Sequence, residues 1–193
     1  MKRTFLILCA LSSFLSAADF KDDFTQPKLE HRRAARGDWK IADGIARCTQ
    51  DDELYKKNKD HGPIIFYEVG YSDATIRFSY KADAAVKSFV FTCNGEGGHV
   101  FRFVTTPTGT GFRAFSPPEN EHAAIVLGQE KSLQLKPGEW VPVVVGLLGN
   151  KAKVMIGDFE KTFENAQLTR AKVNFSVGFS FGTLSVKDVM AEK

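Results

Sequence analysis

Hydrolysis of a sugar usually takes two carboxyl groups placed across the scissile bond, so the acidic residues are the first to inspect. A glycosidase built on a β-sandwich sets them at alternate positions of one strand, as E-x-D-x-E or E-x-D-x-x-E. Neither pattern occurs in this chain. Asp51-Asp52-Glu53 is contiguous, and Glu119 and Glu121 follow Pro117-Pro118; both groups read as solvated charge. The four histidines, His31, His61, His99 and His122, show no metal-ligand spacing, so no metal site is expected. There is no G-x-S-x-G elbow for a nucleophile. Gly95-Glu-Gly-Gly98 lacks the Lys-Ser/Thr pair and the following helix of a phosphate loop, and no cofactor is expected.

What the chain does offer is a set of polar side chains at strand spacing. Thr75, Arg77 and Ser79 share one face of an alternating segment, and Arg102 and Arg113 lie on later segments. A tyrosine, Tyr67, Tyr71 or Tyr80, is available as an aromatic platform. Arg77, His99, Arg102, Arg113 and Tyr80 form the candidate ligand-binding set. The competing reading is a solvated outer sheet face, which antiparallel sheets commonly have. For His99 that reading is a structural histidine, since strict alternation puts it on the face of Phe101 and Phe103.

The elements that must position these residues alternate with period two. Ala74–Tyr80 places Ile76, Phe78 and Tyr80 on one face, Ser88–Asn94 places Phe89, Phe91 and Cys93 together, and residues 99–105 place Phe101 opposite Arg102. Asp43-Gly44 between two alternating runs predicts a type I′ hairpin turn, and residues 95–98 predict another hairpin. Pro142 donates no hydrogen bond, so the apolar run from Trp140 to Leu148 should form an edge strand or begin there. Helix is confined to a turn or two over residues 51–57, and residues 119–127 read as a loop entering a strand. About a dozen short strands with frequent turns predict an all-β, two-sheet antiparallel β-sandwich of the jelly-roll type. Seventeen phenylalanines, fifteen of them after residue 18, suit the dry core between its sheets.

The first eighteen residues stand apart. Lys2 and Arg3 precede an apolar run from Thr4 to Leu15, and Ser16-Ala17-Ala18 supplies small residues for cleavage. The run is too short to span a bilayer. Residues 1–18 are therefore read as a signal peptide and 19–193 as a single β-sandwich domain, exported to the periplasm or secreted, with no stable membrane insertion. Loss of Lys2 and Arg3 lowers the net charge from +3 to +1, which leaves no electrostatic footprint for nucleic acid. The one dense basic stretch, His31 to Arg36, reads as a solvated loop. Cys48 and Cys93 can be a disulfide in an exported protein or two buried thiols; the latter is the preferred reading.

Taken together, Trp39-Lys-Ile-Ala-Asp-Gly44, Asp73-Ala-Thr-Ile-Arg-Phe78, Gly138-Glu-Trp140 before a long apolar strand, and the closing Leu184-Ser-Val-Lys-Asp-Val189 resemble the concanavalin A-like jelly-roll domains. The group in question is the secreted 3-keto-disaccharide hydrolase-like one, similar to glycoside hydrolase family 16. The resemblance covers most of residues 19–193 in order. It implies a sandwich that recognises a glycan or oligosaccharide, with Arg77 as a sugar contact. The family's N-S-G segment and Y-E-h-Q-h cleft strand are replaced here by Lys87-Ser-Phe-Val and His99-Val-Phe-Arg102, so the resemblance does not carry hydrolysis over. Three functions stay open: a lectin-like carbohydrate-recognition domain, a divergent glycoside hydrolase and a cell-envelope scaffold. The concave sheet face discriminates among them. A deep groove lined by arginine, histidine and aromatic side chains favours the first two, and a face sealed by phenylalanine favours the third.

Overall fold

A computed structural model describes residues 19–193; the signal peptide expected over residues 1–18 lies outside the described residues. The strands in chain order are β1 (Phe20–Asp22), β2 (Arg32–Ala35), β3 (Lys40–Ala42), β4 (Ile45–Thr49), β5 (Ile64–Tyr67), β6 (Ala74–Ala82), β7 (Ser88–Gly95) and β8 (Gly98–Thr106). They continue as β9 (Gly109–Phe115), β10 (Ala124–Glu130), β11 (Val141–Leu148), β12 (Lys151–Ile156), β13 (Phe159–Glu164), β14 (Asn174–Ser180) and β15 (Thr183–Glu192). The α-helix α1 (Asp52–Lys57) is capped by the Asp51 carboxylate, which accepts from the Leu54 N–H.

The strands make two antiparallel sheets. The larger runs β13-β12-β11-β6-β15-β4-β3, with β1 paired to β15, and the smaller runs β10-β9-β8-β7-β14-β5-β2. The expected two-sheet antiparallel sandwich is what forms. The first and last strands are neighbours, with Phe20 opposite Ala191. Asp43 and Gly44 both have positive φ, 53° and 75°, as a type I′ turn requires. Pro142 lies at the start of β11, but β11 is interior to its sheet; pairing with β12 begins only at Val143, so the missing N–H breaks no bond with it.

Alternating inward residues from both sheets meet in the core. Tyr80 stacks on Phe89 with ring centroids 3.9 Å apart and Phe78 on Phe91 at 5.7 Å, joining β6 of one sheet to β7 of the other. Phe89, Phe91, Phe101, Phe103, Phe112 and Phe175 are fully buried, each contributing about 1.5–3 kcal/mol on removal from water. This packing corrects one candidate: Tyr80, 1% exposed, is part of the core and unavailable to a ligand. Tyr67 and Tyr71 are buried as well.

The basic stretch also differs from expectation. Arg32 to Ala35 form edge strand β2 rather than a loop. The Arg32 guanidinium donates to both Asp22 carboxylate oxygens at 2.9 and 3.0 Å, and to the carbonyls of Gln26 and Pro27. Both side chains are 2% exposed. This pair ties β1 on the larger sheet to β2 at the edge of the smaller one. Cys48 and Cys93 are free, buried thiols on different sheets. Among the described residues no helix is long and apolar enough to cross a membrane.

Candidate functional site

A groove of about 440 Å³ crosses the outer face of the smaller sheet, a volume within the usual range for small-molecule sites. Its floor is built by the outward residues of four strands: Ile64 and Phe66 of β5, Ser176 and Ser180 of β14, Ser88, Val90, Thr92 and Asn94 of β7, and His99 and Arg102 of β8. The wall over β5 comes from α1 and the loop behind it, which bring Tyr55, Asp60 and His61 to the rim. Gly62 lets that loop close onto β14. A Cβ there would sit 2.0 Å from the Phe179 carbonyl oxygen, and the same approach lets the Phe179 N–H donate to the Pro63 carbonyl at 3.1 Å.

The polar end of the groove is a hydrogen-bonded chain. The Asn94 side-chain NH₂ donates to Asn174 Oδ1 at 2.7 Å, which leaves Asn94 Oδ1 as the acceptor for His99 Nδ1, also at 2.7 Å. His99 thus carries its proton on Nδ1, and its Nε2 lone pair faces Arg102 Nη2 in close contact. Arg102 Nε donates to Thr92 Oγ1 at 3.2 Å. His122 is the counterpart above. Its Nε2 accepts the His99 backbone N–H at 3.0 Å, so its Nδ1 donates to the Ser116 carbonyl. The Phe115 ring packs between, stacked on His122 and edge-on to His99. Burial and the cationic neighbour Arg102 hold His99 down at about 4, so it is neutral at physiological pH. Burial, together with Arg113, also lowers Arg102.

His99 reaches this face through a defect in the ladder. Cys93 pairs with Phe101 but Asn94 pairs with His99, so Val100 is an extra residue on β8. Val100 and Phe101 are both buried. The bulge turns His99 away from the face of Phe101 and Phe103, where strict alternation had put it, and onto the face of Arg102.

The candidate set therefore divides. His99 and Arg102 line the groove together. Arg113 lies directly opposite Arg102 on β9 and lines a neighbouring shallow concavity. Arg77 is on the outer face of the larger sheet, 3.7 Å from Glu192, and cannot share a ligand with them, because β6 pairs with β11 and β15 and not with β7. Tyr80 is in the core. The tyrosine that does reach the groove is Tyr55, with Phe181 tilted against it at 5.2 Å. Sequence reasoning missed it because Tyr55 belongs to α1 and arrives by folding of a loop over the sheet; its presence in the one short helical segment was the only available signal.

No protein-family model and no curated protein matches the chain. Solved structures do. A β-1,3-1,4-glucanase (lichenase) from a mouse hindgut metagenome superposes with a TM-score of 0.70 at 12% identity, over 90% of this chain and 98% of its own. The β-glucanase of Bacillus licheniformis gives 0.69 at 11%, over 92% and 99%. A carbohydrate-binding module of Bacillus subtilis gives 0.61 at 12%, over 84% and 96%. The fold of this chain is that of the concanavalin A-like jelly rolls.

Proposed function

We propose that the chain is an exported, non-catalytic carbohydrate-recognition protein that holds a glycan in the groove across its smaller sheet. The observation that carries this reading is the composition of the groove. Short hydroxyl and amide side chains (Ser88, Thr92, Asn94, Ser176, Ser180) alternate with apolar Ile64, Phe66 and Val90, and Tyr55 stands at the rim. Hydroxyl-rich ligands need that mixture of hydrogen-bonding groups and ring faces. The same fold serves the carbohydrate-binding module and the two glucanases above. Among the described residues Asp60 is the one carboxylate that lines the groove, whereas glycosidases need two, about 5–9.5 Å apart. That count supports binding over hydrolysis. A groove lined by arginine, histidine and aromatic side chains also supports recognition over a scaffold role.

The test is a glycan array followed by calorimetry on the purified protein. Binding to at least one oligosaccharide is expected. Tyr55→Ala should weaken it about tenfold, or about 1.4 kcal/mol, while Arg77→Ala, on the other sheet, should leave it unchanged. An array with no bound glycan would reject the reading, and release of reducing ends from a bound glycan would reject its non-catalytic part.

A further inference from the structure

We infer that the glycan is acidic, and that its carboxylate or sulfate group is held at the Arg102–Arg113 pair; this rests on the glycan-binding reading above. The two arginines are Cα partners on adjacent strands β8 and β9, so their side chains leave the same face from backbones ~5 Å apart. Like charges placed directly opposite on a sheet destabilise it. Neither arginine forms an ion pair with a carboxylate among the described residues. Arg102 is in addition half-buried, with Phe115 against its guanidinium at 5.5 Å from the ring centroid.

The groups around Arg102 fix it without neutralising it. Its Nε and Nη2 are engaged by a threonine hydroxyl and by His99. No protein acceptor among the described residues takes Nη1. His99 cannot supply charge, since the Asn174–Asn94 relay fixes its proton on Nδ1 and presents a lone pair to the arginine. A guanidinium held in place, partly desolvated and left with free donors is suited to a carboxylate or sulfate group, two of whose oxygens can accept parallel N–H bonds.

The charge on the rest of the face has the same sign. Arg36 lines the groove with Arg102, and Lys131 lines the neighbouring concavity with Arg113. Against these four cations stand Asp60, on the loop over β5, and Glu130, which is already engaged by Lys161 at 2.5 Å. Over residues 19–193 the net charge is only +1, so four cations against two carboxylates in these two linings is a local excess of positive charge over the balance of the chain. A neutral glucan would leave Arg102 and Arg113 unmatched; a uronic acid or sulfated saccharide would match them and still meet the hydroxyl side chains of the floor.

The experiment is calorimetry on the purified protein with three kinds of probe: neutral mixed-linkage β-glucan and laminarin, polygalacturonate and alginate oligomers carrying carboxylates, and carrageenan oligomers carrying sulfates. Binding to one of the acidic classes is expected, which identifies the anion. Affinity should fall at least tenfold in Arg102→Gln and in Arg113→Gln, and stay the same in Arg77→Gln, which removes an equal charge from the opposite face. Arg113 is exposed, so Arg113→Gln keeps the test decisive if Arg102→Gln does not fold. Binding to neutral glucans alone would overturn the inference and leave the glycan-binding reading intact. Binding to no saccharide would overturn both. Acidic binding that weakens equally in Arg77→Gln, or that survives in both groove variants, is general charge attraction and would also overturn the inference.

Discussion

The imidazole of His122 lies directly over the α-carbon of Gly98. A Cβ built on Gly98 would be 2.5 Å from His122 Cε1 and 2.8 Å from Nε2, closer than a Cβ packs against a neighbouring heavy atom. Gly98 also has φ of 149°, a conformation that side chains rarely adopt. The glycine is therefore what lets His122 reach over the β7–β8 hairpin and accept the His99 N–H. Gly98→Ala should expel the ring and leave that N–H without its acceptor, at a cost on the order of 1–3 kcal/mol. Chemical denaturation measures the loss. An unchanged midpoint would show that the hairpin relaxes without needing the contact.

The neutral state of His99 makes stability depend on pH. Its folded value of about 4 lies below the unfolded value of 6.5. Between those values the unfolded chain binds a proton that the folded protein refuses, so acidification favours unfolding. The contribution is fully present above pH 6.5 and is lost as pH falls toward about 4. Thermal unfolding of the wild type should therefore fall more steeply across this window than that of His99→Gln. Parallel curves for the two proteins would contradict a half-buried, neutral imidazole.

His99 also marks the limit of what could be read from the sequence. Alternation located β6, β7 and β8 and the inward set of Ile76, Phe78, Phe89 and Phe91, because one buried face imposes period two on the residues themselves. The Asp43-Gly44 turn was legible because its backbone needs positive φ at both positions. A bulge leaves no such mark: Val100 is apolar and suits the core as well as Phe101 does, and nothing local says that both turn inward. Sheet membership was equally hidden. Residues 83–87 link β6 to β7 as if in a hairpin, yet those strands join opposite sheets, so Arg77 and Arg102 end on opposite faces of the molecule. Which strands pair is decided by long-range packing of the phenylalanines, and the groove, with Tyr55 over it, is a product of that pairing.

The Asp22–Arg32 pair offers a test of how the sheet edges are joined. Burial outweighs the attraction of Arg32 and pushes the Asp22 carboxyl above its usual range, so desolvation takes back much of what the ion pair gains. Removing one partner still leaves the other charge buried. Arg32→Met should destabilise by about 3–5 kcal/mol, and the double replacement Asp22→Leu with Arg32→Met by much less. Denaturant midpoints of the two variants measure this. Equal losses would show that the pair is a net contributor to stability and more than a specifier of how β1 and β2 meet.

The two thiols give the last prediction. Cys48 and Cys93 are 1% and 0% exposed, and burial pushes both up to about 12. The thiolate is the reactive species, and at pH 8 the folded protein holds almost none of it. Cys93 is further enclosed by the Phe91 and Phe175 region of the core, opposite Phe175 on β14 and Phe101 on β8. A disulfide-exchange reagent should leave both cysteines of residues 19–193 unmodified in the native protein and titrate both once the chain is unfolded in denaturant. Titration of neither in the unfolded, unreduced chain would mean that the two are joined, which requires β4 and β7 to approach across the sandwich. Rapid reaction of either one in the native protein would mean that its sheet opens locally on the timescale of the assay, and that the core around it is less continuous than its burial states.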